Sequence, residues 1–293
     1  MVHGLFLNLK LKSIMNKSIL FFFLAIFTVQ FNSMNAQSFG IMTYNIRLDV
    51  KSDGVNQWEN RREGVVSLIK NHKPDIFGIQ EGLPHQVEYL SNHLKDYTMI
   101  GEGRDGGKKG EYSAIYYHHN KVKFLKTETF WLSETPKKPS IGWDAALNRI
   151  ATVGVFKIMN SAKKMVIYNS HFDHMGESAR ENSAQLILNH IIENGYSKNA
   201  VVVMGDFNAE PDDAPILLLS KNLDDTFSST FSNNPTGTFN GFQLDSNLAK
   251  RIDYIFTKNI EVVQFKHIHK KLPNGLWPSD HFPVFVTIKE FQY

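Results

Sequence analysis

Four short polar clusters, each at the end of an apolar run, carry side chains suited to one hydrolytic reaction. Asn45 closes Phe39 to Ile46, and Glu81 follows Asp75 to Gln80. Gly205-Asp206-Phe207-Asn208 follows Val201 to Met204, and Ser279-Asp280-His281 precedes Phe282-Pro283-Val284. A hard divalent cation such as magnesium prefers carboxylate, amide and water oxygens, with few ligands from protein. Glu81, Asn45 and Asp280 suit that role. Asp206 and Asn208 lie two residues apart at a strand end and share a face, and an Asp beside a His pairs a carboxylate with an imidazole that titrates near neutrality. Cleaving a phosphate ester requires charge neutralisation on the phosphoryl oxygens, an oriented water and protonation of the leaving oxygen. Metal, imidazoles and an Asp/Asn pair together provide all three.

Each residue also has a plainer reading. Asp and Asn often cap turns, a strand-end His is often structural, and an Arg is often a solvated charge. His171, in Asn169-Ser170-His171-Phe172-Asp173-His174, closes another apolar strand, and His171 with His174 offers a zinc alternative. That alternative is weakened because no third nitrogen or sulfur ligand is evident nearby. Arg149 and Arg104 suit bidentate binding of phosphate oxygens.

Positioning these residues at one rim calls for a sandwich of strands. Apolar patterning predicts strands at 39–46, 75–80, 97–100, 112–118, 122–129, 150–159, 164–170, 200–204, 251–257, 262–268 and 283–289. Helices are expected at 60–72 (Val65, Val66, Leu68 and Ile69 inward), 84–94 (Val87, Leu90, Leu94) and 178–193 (Ala184, Leu188, Ile191, Ile192). The Gly-rich 101–110 reads as a loop without the Lys-Ser/Thr ending of a phosphate-binding loop. No repeat or linker divides the run, so one α/β domain of two packed sheets with flanking helices is expected over 37–293.

Composition narrows the function further. The chain has 42% hydrophobic and 12% aromatic residues, ample for a core, and no cysteine, which excludes disulfides and a thiol nucleophile. Its formal charge of +3 disappears beyond residue 36, because Lys10, Lys12 and Lys17 precede that point with no acid among them. A neutral remainder argues against a long nucleic-acid grip. The apolar Ser18–Val29, preceded by lysines and followed by Asn35-Ala36-Gln37, reads as a signal peptide spanning 1–36, with Met15 an alternative start. Export to a bacterial periplasm or beyond, no stable membrane span after cleavage and a monomer are expected.

Thr43-Tyr44-Asn45-Ile46-Arg47, Gln80-Glu81, Ser170-His171-Phe172-Asp173, Gly205-Asp206-Phe207-Asn208, Arg251-Ile252-Asp253-Tyr254 and Ser279-Asp280-His281 occur in the order seen in the endonuclease/exonuclease/phosphatase superfamily. The chain resembles that superfamily, in particular a bacterial branch, and is similar to the catalytic domains of deadenylase-type 3'-5' exonucleases. The resemblance implies a DNase I-like four-layered α/β sandwich, with mostly antiparallel sheets, that hydrolyses phosphodiesters or phosphomonoesters with Mg2+ or Mn2+. It implies Glu81, Asn45 and Asp280 as metal ligands. It further implies His281 oriented by Asp253, Asp206 aligning or deprotonating the water, Asn208 steadying the transition-state oxygen and His171 donating to a phosphate oxygen or the leaving group. Glu111 is expected to orient His171. Arg47 stands where abasic-site endonucleases have Asp, which argues against DNA repair. Substrates in view are nucleic acid, nucleotide, lipid head group or sugar phosphate; a catalytically silent binding module is the alternative from another class.

Overall fold

The alternation of apolar side chains along the strands sorts the chain into four layers in a computed structural model that describes residues 38–159, 163–229, 237–244 and 250–289. In β1 (Phe39–Asn45), Phe39 and Ile41 join one buried cluster, whereas Met42 and Tyr44 join another. Helix α1 (Trp58–His72) carries the chain back to β2 (Ile76–Gln80), which pairs parallel to β1 with Gln80 opposite Asn45. Helix α2 (Pro84–His93), β3 (Tyr97–Ile100) and β4 (Ile115–His118) follow.

The second sheet is built the same way. After β5 (Val122–Trp131) and β6 (Ile150–Ile158), strand β7 (Lys164–His171) crosses through α3 (Glu177–Glu193) to β8 (Ala200–Asp206). The β7/β8 pair is again parallel, with His171 opposite Asp206. Parallel neighbours need such a crossover, and the consequence is geometric: both strands of each parallel pair end at the same rim. Helix α4 (Ala214–Asn222), β9 (Asp224–Asp225), β10 (Asp253–Lys258), β11 (Val262–His267) and β12 (Val284–Ile288) complete the fold. The sheet orders are β11-β12-β1-β2-β4-β3 and β5-β6-β7-β8-β10-β9, with every adjacent pair except β1/β2 and β7/β8 antiparallel.

Three apolar cores separate the layers. One lies between α1, α2 and the first sheet (Val65, Ile69, Leu90, Phe77), one between the sheets (Ile41, Ile167, Met204, Val286), and one between the second sheet and α3, α4 (Val203, Ile187, Leu219). Full burial of each such side chain contributes about 1.5–3 kcal/mol. The expected four-layered sandwich is what the chain forms.

Boundaries differ in informative places. The 112–118 strand starts only at Ile115, because Tyr112 is spent on isolated bridges to Gly82 and Gly103. The 122–129 strand continues to Trp131. Ile192 is 67% exposed rather than inward; Ala184, Ile187, Leu188 and Ile191 form the buried stripe, and one residue further turns about 100° off it. Helix α4 was not expected, since its apolar run lacks clear periodicity. The proposed signal segment lies outside the described residues; among those described, no helix is long and apolar enough to cross a membrane.

Candidate active site

The face that packs between the sheets turns polar at one rim. Along β8, Val202 and Met204 occupy the inter-sheet core and Asp206 takes the next position of that parity; along β7, Met165 and Ile167 precede Asn169 and His171. Asn45 holds the matching place on β1, and Asp253, opposite Asp206, starts β10 on the same face as Ile255. Close approach at the rim is built in at Gly205, where a Cβ would collide with the Ser170 carbonyl. Just beneath, Gln80 Nε2 donates to Asn169 Oδ1 (2.6 Å) and Thr43 Oγ1 (3.0 Å), and Asn169 Nδ2 donates to the Ile79 and Ala114 carbonyls (2.9 Å each). These buried amides tie one sheet to the other directly under the site, a role sequence reasoning did not assign.

At the centre, Asp253 Oδ2 accepts from His281 Nδ1 at 2.8 Å, and His281 Nε2 lies 3.7 Å from Asp206 Oδ2. Burial opposes protonation of His281, yet the Asp253 and Asp206 carboxylates overcome it and hold the imidazole well above its ordinary value. Burial, with Asp253 adding negative charge, pushes Asp206 up to about 7, against the lowering pull of His281 and Asn45. His171 is driven the other way by burial and by Arg149 and His281, so it is neutral. Its Nε2 lies 3.5 Å from Asp206 Oδ2 and 3.0 Å from Asn208 Nδ2. Asn208 Nδ2 also donates to the Phe172 carbonyl and its backbone N–H to Asp206 Oδ1, both at 3.0 Å. Asn208 is thus both a turn residue and a wall of the site.

Asn45 Nδ2 bridges Glu81 Oε1 (3.0 Å) and Asp206 Oδ2 (2.9 Å), while its Oδ1 accepts from the Arg47 N–H (3.0 Å). The amide edge of Asn45 therefore faces the carboxylates. Glu81 Oε2 also accepts from Leu48 N–H at 3.0 Å. Arg47, Glu81 and Asn208 all have positive φ (57°, 62° and 47°) directly beyond strand ends, a conformation that costs non-glycine residues about 1–3 kcal/mol each. Strain concentrated at one rim is a mark of a functional site.

Ligating atoms of Glu81, His171 and Asp206 lie within 4.8 Å of one another, as do those of Asp206, Asp253 and His281. Two carboxylates and one imidazole fit a divalent ion that completes its shell with water. His174 stands apart from this group, its Nδ1 accepting from Arg149 Nη2 at 3.0 Å, so the His171/His174 zinc pairing has no geometric support.

Arg104 and Arg149 both line the cavity but are already engaged. Arg104 pairs with Glu111 at 2.7 Å, and Arg149 with Asp173 at 3.2 Å. This corrects the expectation that Glu111 orients His171: its carboxylate is taken by Arg104, and no hydrogen bond joins it to His171. Sequence reasoning also missed Arg47 and Arg61. Arg61, 1% exposed, donates to the carbonyls of Ile46, Arg47, Leu48, Asn56 and Pro278, tying the loop after β1 to the loop before β12. Its place on the stripe Trp58, Arg61, Val65, Leu68 was a readable signal. The whole site opens into a cavity of about 560 Å³, with Phe239, Leu147, Glu210, Asp213 and Lys250 on its outer walls.

The sequence profile of the Endonuclease/Exonuclease/phosphatase family matches residues 42–281. A mannosyl-6-phosphatase of Bacteroides thetaiotaomicron is 35% identical, with 86% of this chain and 99% of that one covered and a TM-score of 0.80. An uncharacterized protein of Acanthamoeba polyphaga mimivirus is 34% identical over 186 residues, 61% of this chain and 69% of its own length. Tyrosyl-DNA phosphodiesterase 2 of Gallus gallus is 24% identical over 269 residues, 84% of this chain and 65% of its own. The chain thus spans about two thirds of these two curated relatives.

Proposed function

The chain belongs to the Endonuclease/Exonuclease/phosphatase family, and on that premise we propose that it is a divalent-cation-dependent phosphatase for small phosphorylated carbohydrates. It is an enzyme of the phosphate-ester hydrolase class. The wall chemistry of the cavity carries the choice of substrate. About 560 Å³ is the size of a small-molecule pocket. Arg47, Arg104 and Arg149 are already paired with Asp53, Glu111 and Asp173, Lys250 adds one cation, and Glu210 and Asp213 add carboxylates to the walls. A polyanionic strand would meet few unpaired positive charges there, whereas sugar hydroxyls can donate to those acids and lie against Phe239. The similarity to a mannosyl-6-phosphatase supports the same reading.

Glu81, Asp206 and His171 would hold the cation, with Asn45 Nδ2 joining the two carboxylates, and the ion would neutralise charge on the phosphoryl group. Water attacks phosphorus, the bond from phosphorus to the ester oxygen breaks, and the departing alkoxide takes a proton from solvent water in the open cavity. Asp206, beside the cation and 3.7 Å from His281, is placed to orient that water and receive its proton. His281, kept protonated by Asp253, donates to a phosphoryl oxygen, and Asn208 steadies the oxygen on which charge grows. The apolar run at 18–29 supports export, with a mature N-terminus near Gln37 to be checked by N-terminal sequencing of the exported fraction; retention of Met1 or Met15 would overturn that assignment.

The assay is turnover of mannose 6-phosphate, bis-p-nitrophenyl phosphate and 5'-phosphorylated single-stranded DNA, each with Mg2+, Mn2+ or EDTA. The sugar phosphate should be hydrolysed fastest, activity should vanish in EDTA, and either metal should restore it. Full activity after dialysis against EDTA would end the cation reading, and a preference for DNA would move the assignment to the nuclease side of the family.

A further inference from the structure

We propose that the Arg47 guanidinium acts as a fixed cation between Glu81 and Asp280, so that the site takes one divalent ion on its Glu81–Asp206 side and Asp280 is not among the ligands. The proposal deepens the cation-dependent reading above and rests on it. Arg47 leaves β1 with φ at 57°, and its backbone N–H is held by Asn45 Oδ1 at 3.0 Å. Its side chain is clamped by Asp53 through two hydrogen bonds, Nε to Oδ2 at 3.0 Å and Nη2 to Oδ1 at 2.9 Å. From that fixed position Nε lies 3.7 Å from Asp280 Oδ2, and Nη1 lies 3.9 Å from Glu81 Oε2.

The clamp is itself anchored. Arg61 donates to the Arg47 carbonyl (2.6 Å) and the Leu48 carbonyl (3.3 Å), and Gln86 Nε2 also donates to the Arg47 carbonyl (2.9 Å). A guanidinium does not lose its proton in a protein, so its charge is permanent. A second dication bound to Asp280 Oδ2 would have to sit within a few ångströms of it, where the repulsion is twofold that of a unit pair, whereas an ion between Glu81 Oε1 and Asp206 Oδ2 uses the Glu81 oxygen that does not face Arg47. Among the described residues, Asp280 also belongs to neither cluster of converging ligating atoms. Asp280 is then free to balance Arg47 rather than a metal, and Arg47 can turn its remaining donors to the phosphoryl group.

The test counts ions. Mn2+ binding to the full chain, followed by the electron paramagnetic resonance of the free ion in equilibrium dialysis, should give one tight ion per molecule. Changes beside a metal ligand cost about 10- to 100-fold in affinity; Asp280→Asn should stay within that range and Glu81→Gln should exceed it. Arg47→Asp, and the milder Arg47→Gln, should admit a second ion whose binding is lost again when combined with Asp280→Asn. Circular dichroism and Tm establish that each variant is folded. Two tight ions in the unaltered protein, or an Asp280→Asn loss as large as that of Glu81→Gln, would overturn the assignment to Arg47 while leaving cation dependence standing. No Mn2+ binding at all would overturn both.

Discussion

Asp253→Asn should cripple turnover while leaving a folded protein. In the native site His281 Nδ1 and Asp253 Oδ2 are 2.8 Å apart, and both residues are buried. At the effective dielectric that suits protein sites, a unit ion pair at that distance attracts by about 6 kcal/mol. Asparagine removes that attraction and gives the imidazole a poor choice. If the amide oxygen keeps the Nδ1–H, the new NH2 occupies the place of Asp253 Oδ1, which has no hydrogen-bond partner. If the NH2 faces His281, the ring must move its proton to Nε2. Each tenfold in rate corresponds to about 1.4 kcal/mol, so complete loss of the pairing is worth about four decades, the size of the same substitution in a Ser-His-Asp triad. Asp206, 3.7 Å from His281 Nε2, retains part of the stabilisation, and the expected fall in kcat is about 100- to 10,000-fold with a smaller change in KM. Leaving one buried amide unsatisfied costs about 1–3 kcal/mol, a Tm drop of several degrees in a chain of this size. Steady-state kinetics and thermal melting on one sample decide the matter. A folded Asp253→Asn enzyme with kcat within tenfold of the original would remove Asp253 from the mechanism.

Three further outcomes follow from the geometry. Asn208→Gly preserves a residue that tolerates positive φ and deletes the amide, so it should cost only the hydrogen bond to the Phe172 carbonyl, about 0.5–1.5 kcal/mol, but lose about 100- to 1,000-fold in turnover; a fully active glycine variant would make Asn208 a turn residue only. Arg61→Met removes the donor serving five backbone carbonyls and should cost about 3–5 kcal/mol in urea unfolding, and a loss under about 1 kcal/mol would show that water replaces it. Asp173 accepts from the backbone N–H groups of Gly176, Met175 and Ala146 and pairs with Arg149; burial alone would raise it, but these partners together hold it well below the usual carboxylate range. A depressed folded value means its stabilisation is full above the unfolded value of about 3.9 and fades as pH falls through the folded one. The Tm gap between the native protein and Asp173→Asn should therefore be wide at neutral pH and narrow below about pH 4; a gap independent of pH would refute the ionic role.

The part of the site that was legible in the sequence is the part written along strands. Val202, Met204 and Asp206, or Met165, Ile167, Asn169 and His171, keep one parity, so an apolar run that ends in a polar residue announces both a core face and its rim. The dyad was reached by resemblance, because Asp253 starts β10 of one sheet, His281 lies 28 residues on in the loop before β12 of the other, and nothing local pairs them. Arginine partners were illegible for a related reason. Arg149 meets Asp173 from 24 residues away, and Glu111 meets Arg104 across the Gly-rich loop instead of His171. A charged side chain gives no periodic signal about which opposite charge it will choose. Arg61 is the exception, since an arginine inside the stripe of Trp58, Val65 and Ile69 must find acceptors in the interior.

The same topology explains why so much charge is tolerated at one rim. Each sheet contributes one parallel pair whose strands end there, and antiparallel β10 and β12 begin there, so backbone from six strands converges on a few ångströms. Convergence crowds Glu81, Asp206, Asp253 and Asp280 together, a grouping that isolated burial would make untenable. The chain offsets it in two ways. Backbone and side-chain donors from Leu48, Asn45 and Asn208 reach the Glu81 and Asp206 oxygens, and Arg47 with one protonated imidazole stands among the carboxylates. What these donors leave over is negative charge between Glu81 Oε1 and Asp206 Oδ2, the pair of oxygens joined through Asn45 Nδ2. A site arranged in this manner draws a cation to one place and presents it to a phosphate from a fixed direction, with the positions of Arg47 and His281 set before any ligand arrives.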